Sequence, residues 1–270
     1  MKNMGKQITT AAIAAAVMLA VLACSNPAGN GYNVSTGSNA GMASLTISGM
    51  VYKLEAEIFE DGMEGSLGDR FRPDTVITGI TALGLETTGS INTEGFFSFT
   101  LPNTVNSDQL FVIADGLAFL EDVLADAPDE VLGILDGFNF EISNPNAGIF
   151  PVAFFEVPEY GVLLMGNITN LAISGEEVDL NLGITVFMYV EEAFHLDGGG
   201  VFVFEEDSPP ITVPEFRVNF SRGWNRLHIN IEASQMENAI RFTFHGGEPN
   251  GQRWGLLTGD FFNGNEPPVE

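Results

Sequence analysis

From Leu45 onward, apolar and polar residues alternate with the period of two that sends successive side chains to opposite faces of a β-strand. Leu45–Tyr52 reads as a first alternating strand and Val76–Leu83 as a second. Asn92-Thr93-Glu94-Gly95 has turn chemistry. After it, Phe97, Phe99 and Leu101 share one face, Ser98 and Thr100 the other, and Pro102 closes the strand. Further strands are predicted at Phe138–Ile142, Phe150–Val157, Gly161–Ile168, Val178–Val190 and Val201–Phe204. Near the C-terminus Phe216, Val218 and Phe220 alternate with Arg217 and Asn219, and Leu227, Ile229 and Ile231 alternate with Arg226, His228 and Asn230. The turn residues Ser221-Arg222-Gly223-Trp224 lie between, so a hairpin with one buried and one wet face is expected. Ile240–Phe244 repeats the alternation, with Arg241, Thr243 and His245 on the opposite face.

One stretch follows a different period. Leu117, Leu120, Leu124, Val131 and Leu135 fall near helical spacing among acids, and Pro128 splits them, so a short helical insertion is expected around residues 116–136. Short strands with frequent turn signals predict an all-β, sandwich-like fold of one or two units. Apolar residues are 45% of the chain and phenylalanine supplies 22 positions, enough for a packed core.

The first residues follow another logic. Lys2 and Lys6 precede an apolar run from Ala11 to Ala23, too short to span a bilayer core of about 20 residues but suited to a signal peptide. The run ends in Val21-Leu22-Ala23-Cys24, and Cys24 is the chain's single cysteine. This resembles the lipobox of bacterial lipoproteins: Ala23 is the small residue before the cysteine and Val21 the aliphatic residue three before it, while Leu22 stands where a small residue is usual. The resemblance implies cleavage before Cys24, acylation of Cys24, and a partner in the membrane itself. Ser25, in place of an aspartate, implies the outer membrane of the cell envelope. Residues 25–44, rich in Gly, Ser, Asn and Ala, have the composition of a tether.

Two further resemblances bear on the body. Ile47-Ser48-Gly49-Met50-Val51-Tyr52, with Thr93-Glu94-Gly95-Phe96-Phe97-Ser98-Phe99-Thr100-Leu101-Pro102, is similar to the first and the glycine–phenylalanine strands of transthyretin-like (carboxypeptidase-regulatory-like) β-sandwich modules, which bind or space rather than catalyse. The stretch from Tyr189-Val190 to Arg222-Gly223-Trp224-Asn225 is similar to uncharacterised spirochaete lipoproteins with a Gly-Trp-Asn turn. The expected division is therefore 1–23 signal peptide, 24–44 lipidated cysteine and tether, 45–114 transthyretin-like β-unit, 115–137 helical linker, 138–263 second β-unit and 264–270 frayed tail.

Charge narrows the partners. Thirty-six acids stand against 10 bases, a net of −26. Loss of Lys2 and Lys6 with the signal would leave 8 against 36, or −28. Such a charge repels nucleic acid. From Pro73 to Glu215 there are 24 acids and no Lys or Arg, whereas five of the eight remaining bases fall between Arg217 and Arg253. Arg217, Arg226, His228, Arg241 and His245 fall on one face of the predicted C-terminal strands, and with Trp224 at the turn they form a candidate ligand patch. A solvated face whose arginines pair with local carboxylates accounts for the same residues.

Asp197 beside Gly198-Gly199-Gly200, and Glu205-Glu206-Asp207, are the calcium candidates, although neither has the twelve-residue spacing of an EF-hand. Trp224, Trp254, Phe261 and Phe262 could stack on sugars or simply pack. There is no G-x-S-x-G elbow, H-E-x-x-H pair, P-loop or G-x-G-x-x-G after a strand, and paired carboxylates arise by chance among so many acids. No cofactor is implied. The expected role is a non-enzymatic envelope protein acting in binding, adhesion or envelope assembly, with an unknown protein or carbohydrate ligand. The alternatives are a substrate-binding lipoprotein serving a transporter or outer-membrane complex, and a carbohydrate-active hydrolase.

Overall fold

The structure, a computed structural model, describes residues 44–59, 62–82, 84–115, 138–174, 177–202, 210–234, 239–247 and 252–258. Cys24, the helical prediction at 116–136, the Glu205-Glu206-Asp207 cluster, Phe261 and Phe262 lie outside them. Its strands run in chain order as β1 (Leu45–Phe59), β2 (Gly62–Arg70), β3 (Ile77–Thr81), β4 (Thr88–Ile91), β5 (Phe96–Leu101) and β6 (Phe111–Val112). Next come β7 (Phe138–Ile142), β8 (Gly148–Val152), β9 (Phe154–Val157), β10 (Gly161–Ser174) and β11 (Glu177–Val190). β12 (Phe194–Phe202), β13 (Ile211–Phe220), β14 (Gly223–Ser234), β15 (Ala239–Gly246) and β16 (Arg253–Thr258) complete the described part. The all-β expectation holds.

Seven of these strands close on themselves. β16–β1–β5–β4–β3–β9–β10 pair in that order, and β10 pairs again with β16. The result is a barrel-like ring rather than the two open sheets of a sandwich, and closure leaves those seven strands without a free outer pair to defend. β1, β3, β4 and β5 come from the 45–114 segment, and β9, β10 and β16 from the 138–263 segment. Beyond β10 the sheet continues through β11, β14, β15, β13, β12 and β7.

The alternation explains what fills the ring. Phe97, Phe99 and Leu101 of β5 are buried, with Ser98 half-buried and Thr100 exposed, as the period of two requires. Phe97 lies 4.6 Å from Trp254 and 5.4 Å from Phe155 between ring centroids, and Phe187 stacks on Trp254 at 6.1 Å. Ile47, Val51, Ile80, Ile91, Leu163 and Leu256 pack the same cluster. Full burial of each such side chain contributes about 1.5–3 kcal/mol, so this cluster is the main reason for the ring to close.

A second cluster joins Ile149, Met188, Val190, Val218, Phe220, Leu227 and Ile229. β11 serves both clusters: Phe187 faces the first, while Met188 and Val190 face the second. The unbroken apolar run Val186–Val190 is the sequence mark of a strand covered on both faces.

Two expectations need correction. Phe150–Val157 is not one strand: Ala153 separates β8, which pairs with β11, from β9, which pairs with β3 and β10. The predicted C-terminal hairpin is also not formed. β14 pairs with β11 along one edge, from Gly223 to Ser234, and with β15 along the other, from Leu227 to Ser234. A strand has two edges, so none remains for β13, which pairs with β12 and, in parallel, with β15. Ser221 and Arg222 therefore turn a corner between strands that share a core without sharing a ladder.

Candidate functional site

The corner is built by one asparagine. Asn225 Oδ1 accepts the backbone N–H of Ser221 at 2.9 Å, and its Nδ2 donates to the carbonyls of Ser221 at 2.6 Å and Gly223 at 2.8 Å. Gly223 takes φ 97°, a conformation that favours glycine. Trp224 does not stand out in solvent. Its indole Nε1 donates to the Pro102 carbonyl at 2.6 Å, its ring packs edge-on with Tyr189 at 5.5 Å, and it rests against the first core. Trp254 is 2% exposed, so its ring is given to packing rather than to a sugar.

Beside this corner lies a cavity of about 620 Å³, lined by Arg217, Asn219, Trp224 and Arg226 among others. Arg217 sits opposite Asp197 in the β12–β13 register and donates from Nε and Nη2 to the two carboxylate oxygens. That hydrogen-bonded pairing holds the Asp197 carboxyl below its usual range and raises the Arg217 guanidinium above its own. His195 Nε2 is 3.6 Å from the same carboxylate. Asp197, a calcium candidate from the sequence, is thus engaged by Arg217, and among the described residues no three His, Cys, Asp or Glu side chains cluster to hold a metal. The Arg226 guanidinium lies over the Phe187 ring, 5.7 Å from its centroid.

The other members of the predicted patch lie elsewhere. His228 and His245 face each other across β14 and β15, with ring centroids 6.5 Å apart, but His228 is not on an outer face: it is 4% exposed. Arg241 is exposed and sits opposite Glu232 near the far end of β14. The structure therefore gathers Arg217, Trp224 and Arg226 at one cavity, and separates them from a buried His228 and from Arg241.

Three residues around His228 were not picked out by the sequence. Gly183 makes room for the imidazole; a Cβ there would come within 2.7 Å of Cε1 and 2.9 Å of Nε2. Thr185, fully buried, places its hydroxyl 3.2 Å from His228 Nδ1 and donates to Gln252 Oε1 at 3.2 Å. With that proton given to Gln252, Nδ1 of His228 is the donor to Thr185. The signal for this cluster was Thr185 itself, a hydroxyl inside a continuous apolar strand, because a buried polar group needs a partner. Buried as it is, the threonine hydroxyl serves to tie β11, β14 and the residue before β16 together rather than to attack a substrate.

Burial pushes the His228 imidazole below 6.5, the nearby His245 adds to the effect, and a hydrogen bond to the Ile184 backbone opposes it. The groups facing it are Thr185 of β11 and His245 of β15, with Arg226, Asn230 and Glu232 on its own strand. The unfolded chain therefore takes up this proton first. Above about pH 6.5 the group leaves stability unchanged, and stability declines as pH falls from there to the lower folded value, where the penalty is complete. Thermal melts recorded between about pH 7.5 and about pH 5 are expected to show this decline. The variant His228→Gln should melt with a flatter dependence over the same window, and equal slopes would refute the assignment.

No family model matches the chain, and comparisons with curated proteins and with solved structures found no match.

Proposed function

We propose that this chain is a lipoprotein precursor whose β-body, held on the outer membrane of the cell envelope through an acylated Cys24, acts by binding rather than by catalysis. The observation that carries this reading is the run Val21-Leu22-Ala23-Cys24, which places the single cysteine directly behind a short apolar segment with a basic start. Two or more acyl chains, at about 0.8 kcal/mol per buried methylene, suffice for stable retention. The first strand begins at Leu45, and a spacer with the composition of residues 25–44 spans on the order of 25 Å as a random coil, so the body would work close to its membrane. The cavity at the β13–β14 corner favours a substrate-binding lipoprotein as the second reading, because its volume lies within the roughly 300–1,000 Å³ usual for small-molecule sites.

The anchor is tested on protein made in bacteria. Mass spectrometry is expected to find a chain that begins at an acylated Cys24, and labelled palmitate should enter the wild type but not Cys24→Ser. Intact Met1 with an unmodified thiol would overturn the anchor.

A further inference from the structure

The chain is strongly charged, yet the cavity at the β13–β14 corner offers no free charge to a ligand. None of the described residues lining it is Asp or Glu, and both of its arginines are engaged. Arg217 is held by Asp197 through Nε and Nη2, and Glu141, opposite Asp197 in the β7–β12 register, acts on it as well. Arg226 lies over the Phe187 ring and has a further partner of its own. An ionised ligand of either sign would give up water there with no free counter-charge to meet it. We propose that this cavity binds an uncharged saccharide, with a sugar ring against Trp224 and hydroxyl groups on Asn219 and Arg217. The inference rests on the reading of the β-body as a binding module.

The lining selects the sugar. Trp224 has given its N–H to the Pro102 carbonyl, so what it offers a ligand is apolar ring surface, suited to the C–H face of a sugar. The Asn225 amide is likewise occupied, closing the corner at Ser221 and Gly223. Asn219 is exposed, and its amide both donates and accepts, as a hydroxyl group requires. Arg217 adds N–H groups that Asp197 does not take, since a guanidinium has more donors than those two bonds use.

The spacing suits the same ligand. Arg217 and Asn219 are two residues apart on β13, so they share a face of the strand roughly 7 Å from each other, with the Trp224 ring lining the same cavity. An aromatic surface with planar polar groups beside it matches a molecule that is apolar on its C–H face and polar round its rim. Gly246 and Gly247 line the cavity without side chains to fill it, and a Cβ at Gly247 would meet nothing within 4 Å.

The test titrates the full chain, in a polyoxyethylene detergent without a sugar headgroup, by calorimetry and tryptophan fluorescence. The probes are three uncharged oligosaccharides: cellotetraose, maltotetraose and fully N-acetylated chitotetraose. Digalacturonate is the charged comparison, and sorbitol supplies hydroxyl groups without a ring face. At least one of the three is expected to bind with a Kd below about 1 mM, and at least about tenfold more tightly than digalacturonate or sorbitol. Asn219→Ala, at an exposed position, should weaken that binding about fivefold or more, and Trp224→Phe should weaken it through the smaller ring. Asn139→Ala, exposed on β7 and outside the cavity, should leave it as it was. Digalacturonate or sorbitol binding as tightly as the best of the three would overturn the uncharged-saccharide assignment while leaving the binding reading in place. No binding of any of the three at about 10 mM, or no effect of Asn219→Ala, would overturn the site. The acylation of Cys24 is read separately, so either result stands apart from the anchor.

Discussion

Trp254→Ala is expected to destabilise the protein by about 4 kcal/mol, within the range for truncating a buried aromatic, and to lower the melting temperature by roughly 8–16 °C for a body of this size. The indole is 2% exposed and packs against Phe97, Phe155 and Phe187 at centroid distances of 4.6, 5.6 and 6.1 Å. Gly49 is shaped to it, since a Cβ at that position would come within 2.5 Å of Cδ1. Its strand also closes the ring, pairing in parallel with β1 at Val51–Lys53 and antiparallel with β10 at Gly161–Leu164. Truncation would therefore remove the centre of the core and loosen the closure in one change. Trp254→Phe keeps part of the ring contact and should cost less than half as much. Urea and thermal unfolding followed by circular dichroism would measure both, and a loss below about 1 kcal/mol for the alanine variant would show that the ring does not depend on this residue.

Gly95→Ala is expected to cost about 3 kcal/mol or more, a large penalty for one added methyl group. Gly95 holds φ 77°, and a Cβ there would lie 1.9 Å from the Phe71 carbonyl oxygen. The backbone cannot easily yield. Gly95 N donates to Asn92 O at 2.8 Å, and its carbonyl accepts Val51 N at 2.9 Å. Phe71 N in turn donates to Val51 O at 2.9 Å, so the turn and the chain leaving β2 are both tied to β1 at one residue. A melting temperature lower by roughly 6–12 °C is expected. Glu94→Ala, exposed in the same turn, is the comparison and should melt near the wild type. Equal melting of the two variants would show that the approach to Phe71 is relieved at little cost.

The same turn shows how much the sequence carries. Asn92-Thr93-Glu94-Gly95 could be read directly because the information is local: Asn92 Oδ1 accepts the N–H groups of Glu94 and Phe96 at 3.0 and 2.9 Å, and glycine supplies the positive φ. The buried face of Phe97, Phe99 and Leu101 was legible for a like reason, since alternation is a property of one strand. The bounds of β7 follow from composition within its own segment.

What failed was of another kind. The alternation of Phe216–Phe220 and Leu227–Ile231 was read as a hairpin, but β14 had better partners for both edges. His228 has the same parity as Arg226 and Asn230, and parity gives a face without saying whether that face is covered; here the imidazole lies against Thr185 and over Gly183. Of the six residues in the predicted patch, three reach one cavity because a corner, and not a hairpin, joins β13 to β14.

By itself, then, the sequence determined the all-β class, the place of several strands such as β5, β7 and β14, the buried face of β5, and the Asn92–Gly95 turn, and it holds a lipobox-like run ahead of the first strand. The tertiary structure alone decided that seven strands close into a ring, that β16 is its final member, and that two arginines converge in an acidic molecule. The physical reason is that side-chain periodicity is written along a single segment, whereas every strand edge offers the same N–H and C=O groups. Which edges meet is settled only by the burial that the whole chain can achieve together.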